Sequence, residues 1–226
     1  MKRKNVSLIA GAAICALTVL LTAVYVSLSG MFVQAEYVPP EDIKGYAEEA
    51  ILSVTQSGLL ENESVNGKVC FHPERAVTRA EFAGALMRLL EISAEPYESI
   101  EVGFADEYRI KAKDLAYIRA AVAGGYMKLY SDYTFHAEES ITREETADII
   151  GSLFSGAISA GRSNEFSDFD EISEHFFENA KKTVDHRIMI GYPDGTFLPK
   201  NELTREELAL ILYRLTQNEH FTKRNS

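Results

Sequence analysis

The chain has 226 residues, 46% apolar and 25% charged, the composition of a folded globular protein and not of a disordered one. Lys2, Arg3 and Lys4 are the only charged residues before Glu36, so residues 36–226 carry 20 basic against 34 acidic side chains, a net charge of −14. A field of that sign disfavours nucleic acid and anionic membrane as broad electrostatic partners and leaves any bound anion to a few well-placed cations.

The three N-terminal cations precede an uncharged run from Val6 to Val33. That order matches an export segment inserted with its N-terminus on the cytoplasmic side. Val33-Gln34-Ala35 offers small residues where a signal peptidase cuts, before Glu36. The run is also long enough to cross a bilayer, which takes about 20 residues. A cleaved signal peptide and a retained signal-anchor helix over residues 1–35 therefore both stay open, the latter tethering the chain through residues 6–33. Either puts residues 36–226 outside the cytoplasm. Ala12-Ala13-Ile14 is a poor lipoprotein sequence before Cys15, and Cys70 is the only other cysteine. One thiol builds neither a disulfide framework nor a multi-cysteine metal site.

Beyond the export segment a repeat of about 62–64 residues dominates. Its anchors are Thr78-Arg79-Ala80-Glu81, Thr142-Arg143-Glu144-Glu145 and Thr204-Arg205-Glu206-Glu207. Seven residues before each threonine stands Phe71, Phe135 or Phe197, and 37 residues before each arginine stands Asp42, Asp106 or Asp168. The pattern divides the chain into 36–93, 94–158 and 159–217, followed by a polar tail, 218–226. After each Thr-Arg-x-Glu, the sets Ala83/Ala147/Ala209, Leu86/Ile150/Leu212 and Leu89/Leu153/Leu215 mark one face of an amphipathic helix. An upstream helix is expected at Tyr46–Ser57, Ala112–Ala123 and Glu174–His186. A turn-rich loop joins the two, in the third unit Gly191-Tyr192-Pro193-Asp194-Gly195-Thr196-Phe197. No helix pair buries its own apolar face, so three helix-loop-helix units should pack into a mainly α-helical domain of approximate threefold arrangement.

Thr-x-x-Glu is a capping box, which accounts for the threonines and glutamates. It leaves the arginines unexplained, since a cation in a first helical turn opposes the helix dipole. Two uses follow. Each arginine either pairs with a repeat aspartate, or joins the free amides of its helix start in an anion site.

These motifs resemble the S-layer homology family of bacterial, chiefly Gram-positive, surface proteins. Its repeat runs Phe-x-Asp, a helix opened by tryptophan, Gly-Tyr-x-Asp-Gly-Thr-Phe-x-Pro and Thr-Arg-Ala-Glu. The counterparts here are Phe104-Ala105-Asp106, Phe166-Ser167-Asp168, Gly191 through Pro199, and the three Thr-Arg sites. The resemblance implies a three-pronged helical domain that anchors a protein non-covalently to the cell wall or the outer face of the cytoplasmic membrane. The implied partner is a peptidoglycan-linked polysaccharide, often bearing a pyruvate ketal, held in grooves between repeats. It implies Arg79, Arg143, Arg205, Asp42, Asp106, Asp168, Gly191 and Gly195 as glycan-binding residues.

The chain departs from the family in having no tryptophan. Phe176 or Phe177 stands nearest its place in the third unit, and Tyr117 in the second. Leu129 and Tyr133 replace the loop glycines of the second unit, and the loop of the first keeps only Phe71. Binding is therefore expected to centre on Arg205, whose unit is the most complete. The alternative is a tethered or secreted protein-binding scaffold built from degenerate repeats. No metal-ligand spacing, cofactor motif or spare catalytic domain is evident, so the chain reads as a non-enzyme.

Overall fold

Every Thr-Arg-x-Glu opens a helix, and a second helix precedes each one. The computed structural model describes residues 37–155 and 161–222; the expected export segment and Cys15 lie outside them. Along the chain run α1 (Glu48–Gln56), the strands β1 (Glu63–Val65) and β2 (Lys68–Cys70), α2 (Arg79–Leu89) and α3 (Ala112–Ala123). Then come α4 (Arg143–Ser152), α5 (Glu174–Asp185), α6 (Arg205–Gln217) and the short α7 (Glu219–Thr222). The protein is mainly α, as the periodicity requires.

Capping follows the sequence with one exception. Thr142 and Thr204 each accept from the amide three residues on, and Glu145 and Glu207 return the bond to the cap amide at 3.0 Å. Thr78 makes only the first half, because the Glu81 carboxylate turns instead to Arg75 and Arg205.

The helices pair between segments, not within them. α2 packs on α3, α4 on α5, and α6 returns to α1, so each helix pair joins one segment to the next and the last pair closes a ring. The composition of α2 requires such an arrangement. Phe82, Ala83, Ala85, Leu86 and Met87 are all buried, and a helix apolar around its circumference needs neighbours on several sides. Where α4 meets α5 the backbones nearly touch. A Cβ at Gly151 would lie 2.0 Å from the Asn179 carbonyl oxygen, so only glycine fits there.

Hydrogen bonds at the centre close the ring a second time. The amide of Val77 donates to Leu203, that of Leu203 to Ile141, and that of Ile141 back to Val77, at 2.8–2.9 Å. All three side chains are fully buried. Outside this ring each repeat aspartate clamps its own loop. Asp42 accepts from the amides of Phe71 and His72, Asp106 from Phe135 and His136, and Asp168 from Phe197 and Leu198, at 2.6–2.8 Å. His72, His136 and Leu198 all adopt positive φ, 51–57°, unusual for such side chains and held by the carboxylate grip.

Two features differ from expectation. The loop of the first segment is a β-hairpin, β1 pairing antiparallel with β2 through Asn66-Gly67, both at positive φ as a type I′ turn demands. The tail is not uniformly polar, because α7 buries Phe221 beside Phe154, ring centroids 6.3 Å apart.

Candidate functional site

The three arginines share their Nε and Nη1 contacts and point forward around the ring. Arg79 donates Nε to the carbonyl of Phe135 at 2.9 Å and Nη2 to that of Lys128 at 3.1 Å, and its Nη1 stands 3.3 Å from Glu145. Arg205 donates Nε to Phe71 at 2.6 Å and Nη2 to the carbonyl of Glu61 at 2.7 Å, and its Nη1 pairs with Glu81. Arg143 donates Nε to Phe197 at 2.8 Å and stands 3.0 Å from Glu207. Among the described residues its Nη2 makes no hydrogen bond. Relative exposures of 4%, 4% and 1% for Arg79, Arg143 and Arg205 mark them as buried fasteners between segments.

Neither use of the arginines expected from sequence is realised in that form. The aspartates grip loop amides, and the guanidinium of each arginine meets the capping glutamate of the next segment in its place. The helix-start amides are not free either. Arg79 and Ala80 donate theirs to Glu139 and Ala137, Arg143 and Glu144 to Asn201 and Pro199, and Arg205 and Glu206 to Arg75 and Pro73. With the third amide taken by the cap threonine, each helix N-terminus is satisfied by the chain itself.

Beside each arginine lies a cleft. The Arg143 cleft, about 320 Å³, is walled by Gly191, Tyr192, Ile190, Tyr46 and Arg214. The Arg79 cleft, about 400 Å³, is walled by Tyr130, Lys128, His175 and Phe176. The Arg205 cleft, about 460 Å³, is walled by charged side chains including Lys111, Lys113 and Glu138. Each cleft draws on all three segments. Tyr192 and Tyr130 lie with ring centroids 4.7 Å from the Arg143 and Arg79 guanidiniums. The Arg205 cleft has no such ring, and its arginine lies over the buried Phe71 at 4.4 Å.

The forward reach separates the most complete loop from the arginine of its own segment. The complete Gly191–Phe197 loop faces Arg143, one segment earlier, whereas Arg205 faces the β-hairpin of the first segment. The aromatic substitutes also separate. Phe176 lines the Arg79 cleft, Phe177 packs on the buried Phe169 at 5.5 Å, and Tyr117 lies under Arg88 at 4.7 Å. Sequence reasoning missed Tyr46, 74% exposed at the mouth of the Arg143 cleft, because it belongs to the far end of the chain.

Gly191 has a structural necessity of its own. At φ 63° a Cβ there would meet the Phe166 ring at 2.3 Å and the Thr196 carbonyl oxygen at 2.6 Å. At Gly195, φ 82°, a Cβ would meet nothing nearer than the Glu165 carbonyl oxygen at 4.0 Å, an ordinary contact. Its counterpart Tyr133 holds nearly the same conformation, φ 62°, with 71% of its surface exposed.

Charge in these clefts is tied up in short networks. Burial, then the hydrogen bond to Glu207, pushes the Tyr192 hydroxyl up, against the opposing pull of Arg143. Burial and the neighbouring charge of Arg75 lower Arg205 to about 10, which leaves it charged at neutral pH. Among the described residues no group of three or more His, Cys, Asp and Glu side chains converges in a metal-ligating arrangement.

Comparison with known sequences agrees with this architecture. The S-layer homology domain matches residues 103–147 and 165–209, within the second and third segments. It is 28% identical over 185 residues to the surface-layer 125 kDa protein of Lysinibacillus sphaericus, covering 78% of this chain and 14% of that protein. Cell surface glycoprotein 1 of Acetivibrio thermocellus is 30% identical over 161 residues, covering 64% of this chain and 6% of that one. A cellulosome-anchoring protein of the same organism is 34% identical over 94 residues, 41% of this chain and 21% of its own length. The chain therefore spans a small fraction of each of these relatives.

Proposed function

We propose that this chain is a non-enzymatic cell-surface anchor that holds a peptidoglycan-linked polysaccharide in the clefts between three S-layer homology repeats. Residues 36–93 are then a diverged first repeat, 94–158 and 159–217 the second and third, and the segment before residue 36 exports or tethers the chain. The anchoring role rests on the two matched repeats and on relatives named for surface layers and cellulosome anchoring.

The carrying observation is the Arg143 cleft. There the Arg143 guanidinium, its Nη2 without a hydrogen bond among the described residues, the ring of Tyr192 and the exposed ring of Tyr46 line one concavity. Tyrosine offers a flat apolar face with a polar tip, suited to a sugar ring. The guanidinium fork grips a carboxylate such as that of a pyruvate ketal. Arg79, Arg205, Asp42, Asp106 and Asp168 contribute mainly by holding the cleft walls, and Gly191 and Gly195 by shaping the loop that faces Arg143.

The test is co-sedimentation with purified bacterial cell-wall sacculi. The protein should pellet with intact sacculi and stay in solution when the wall polysaccharide has been stripped. Tyr46→Ala should weaken pelleting by about tenfold, the order expected for loss of an aromatic contact. Equal retention on stripped sacculi would refute the polysaccharide reading and favour a protein-binding scaffold.

A further inference from the structure

The three clefts differ in charge balance. The Arg205 cleft is lined by five acidic and five basic side chains. The Arg79 cleft has Arg79 and Lys128 against Glu145 and Asp148. The Arg143 cleft has two guanidiniums, Arg143 and Arg214, against the single carboxylate of Glu207. That carboxylate is already engaged by Arg143, Tyr192 and the Thr204 amide. In a chain of net charge −11, one of these three clefts thus has an excess of positive charge.

Arg214 is the source of that excess. On α6 it donates Nη1 to the carbonyl of Ile188 at 3.0 Å and pairs with no carboxylate among the described residues. It is half-buried, and burial lowers its pKa. The residue at the same register in α2 is Arg88, which pairs with Glu61 at 2.7 Å; in α4 it is Ser152. A guanidinium drawn out of water without a counter-charge is costly, and a bound anion removes that cost.

We propose that Arg214 is a specificity-determining residue. Together with the Nη2 of Arg143, which makes no hydrogen bond among the described residues, it makes this cleft the one of the three that selects an anionic substituent on the polysaccharide. The two charge-balanced clefts do not select for charge. This rests on the polysaccharide reading above. The chemistry required is a pair of anionic oxygens, from a carboxylate or a phosphate ester.

The experiment is calorimetric titration of the full chain, solubilised in neutral detergent, with wall-polysaccharide fragments in three forms. These are untreated fragments, fragments amidated with carbodiimide to neutralise carboxylates, and fragments freed of phosphate esters by cold hydrofluoric acid. One charge-dependent site per chain is expected. Arg214→Met should weaken binding of untreated fragments about tenfold to a hundredfold, the range for loss of a charge-assisted contact. Arg214→Lys, which keeps a charge and a donor for Ile188, should recover part of it and guards against a folding artefact. Lys68→Met, an exposed cation on β2 outside the clefts, should change binding by less than about twofold. The wild type should lose the same factor on whichever treatment removes the recognised anion, and Arg214→Met should be indifferent to it. Arg214→Met binding within twofold of wild type, while Tyr46→Ala is impaired, would overturn the role of Arg214 and leave the cleft standing. A wild type that binds none of the fragments overturns the polysaccharide reading itself.

Discussion

Arg205→Met keeps the apolar stem of the side chain and deletes its charged fork, so it isolates what the fork does for the fold. Three anchors go: the bonds to the carbonyls of Phe71 and Glu61, and the pairing with Glu81. Phe71 is fully buried, so no water replaces the donor lost to its carbonyl. An unmatched buried acceptor costs about 1–3 kcal/mol. Removing one partner of a buried ion pair costs about 3–5 kcal/mol, but Glu81 is 20% exposed and keeps Arg75, so that contribution falls below the range. The combined loss is about 4 kcal/mol, a large share of the 5–15 kcal/mol that typical domains possess. Urea unfolding followed by circular dichroism should show a lowered midpoint, and thermal unfolding a drop of roughly 8–16 °C for a domain of this size. Polysaccharide binding in the cold, where the variant remains folded, should persist because the Arg143 cleft is untouched. A stability loss under about 1 kcal/mol would refute the view that Arg205 fastens the ring.

The two loop glycines should separate in their response to alanine. Gly191→Ala meets both positive φ and atoms at 2.3 and 2.6 Å, whereas Gly195→Ala meets positive φ alone; losses of about 3 and about 1 kcal/mol are expected in urea unfolding. Acid stability should report on Asp42. Burial raises its pKa, but the amide hydrogen bonds from Phe71 and His72 outweigh this and hold it below the usual carboxylate range. Its contribution is therefore complete above about pH 4 and is lost as pH falls through the lowered folded value. Asp42→Asn should flatten stability against pH below about pH 4 relative to wild type; an unchanged acid limb would contradict the clamp.

Much of the helical architecture was legible because its signals are local. Thr142 with Glu145 and Thr204 with Glu207 announce helix starts within four residues, and the apolar spacing after each gives a helix face. The Asn66-Gly67 hairpin was equally local, but the repeat register drew attention to Phe71 and away from the turn. Partnership was not legible. Three similar segments carry similar apolar faces, so nothing in α2 alone says that it packs on α3 and not on α1. The same degeneracy hid the forward reach of the arginines. A guanidinium at Arg143 reads identically whether it meets Asp106 in its own segment or Phe197 and Glu207 in the next. Only the closed ring decides, and with it which loop faces which arginine.

That closure governs when the fold can exist. Tyr213 on α6 donates to Glu49 on α1 across 164 residues, so the partner of α1 leaves the ribosome long after α1 itself. Contacts so distant in sequence are slow to form, because the intervening chain must be ordered first. The helix α1 therefore waits, its apolar side uncovered, until α6 has been made. A chain stopped after the second segment would leave α4 without α5, and Val77 and Ile141 without Leu203. Protease resistance of nascent chains arrested at successive lengths should rise in one step near the end of α6, not in three equal ones.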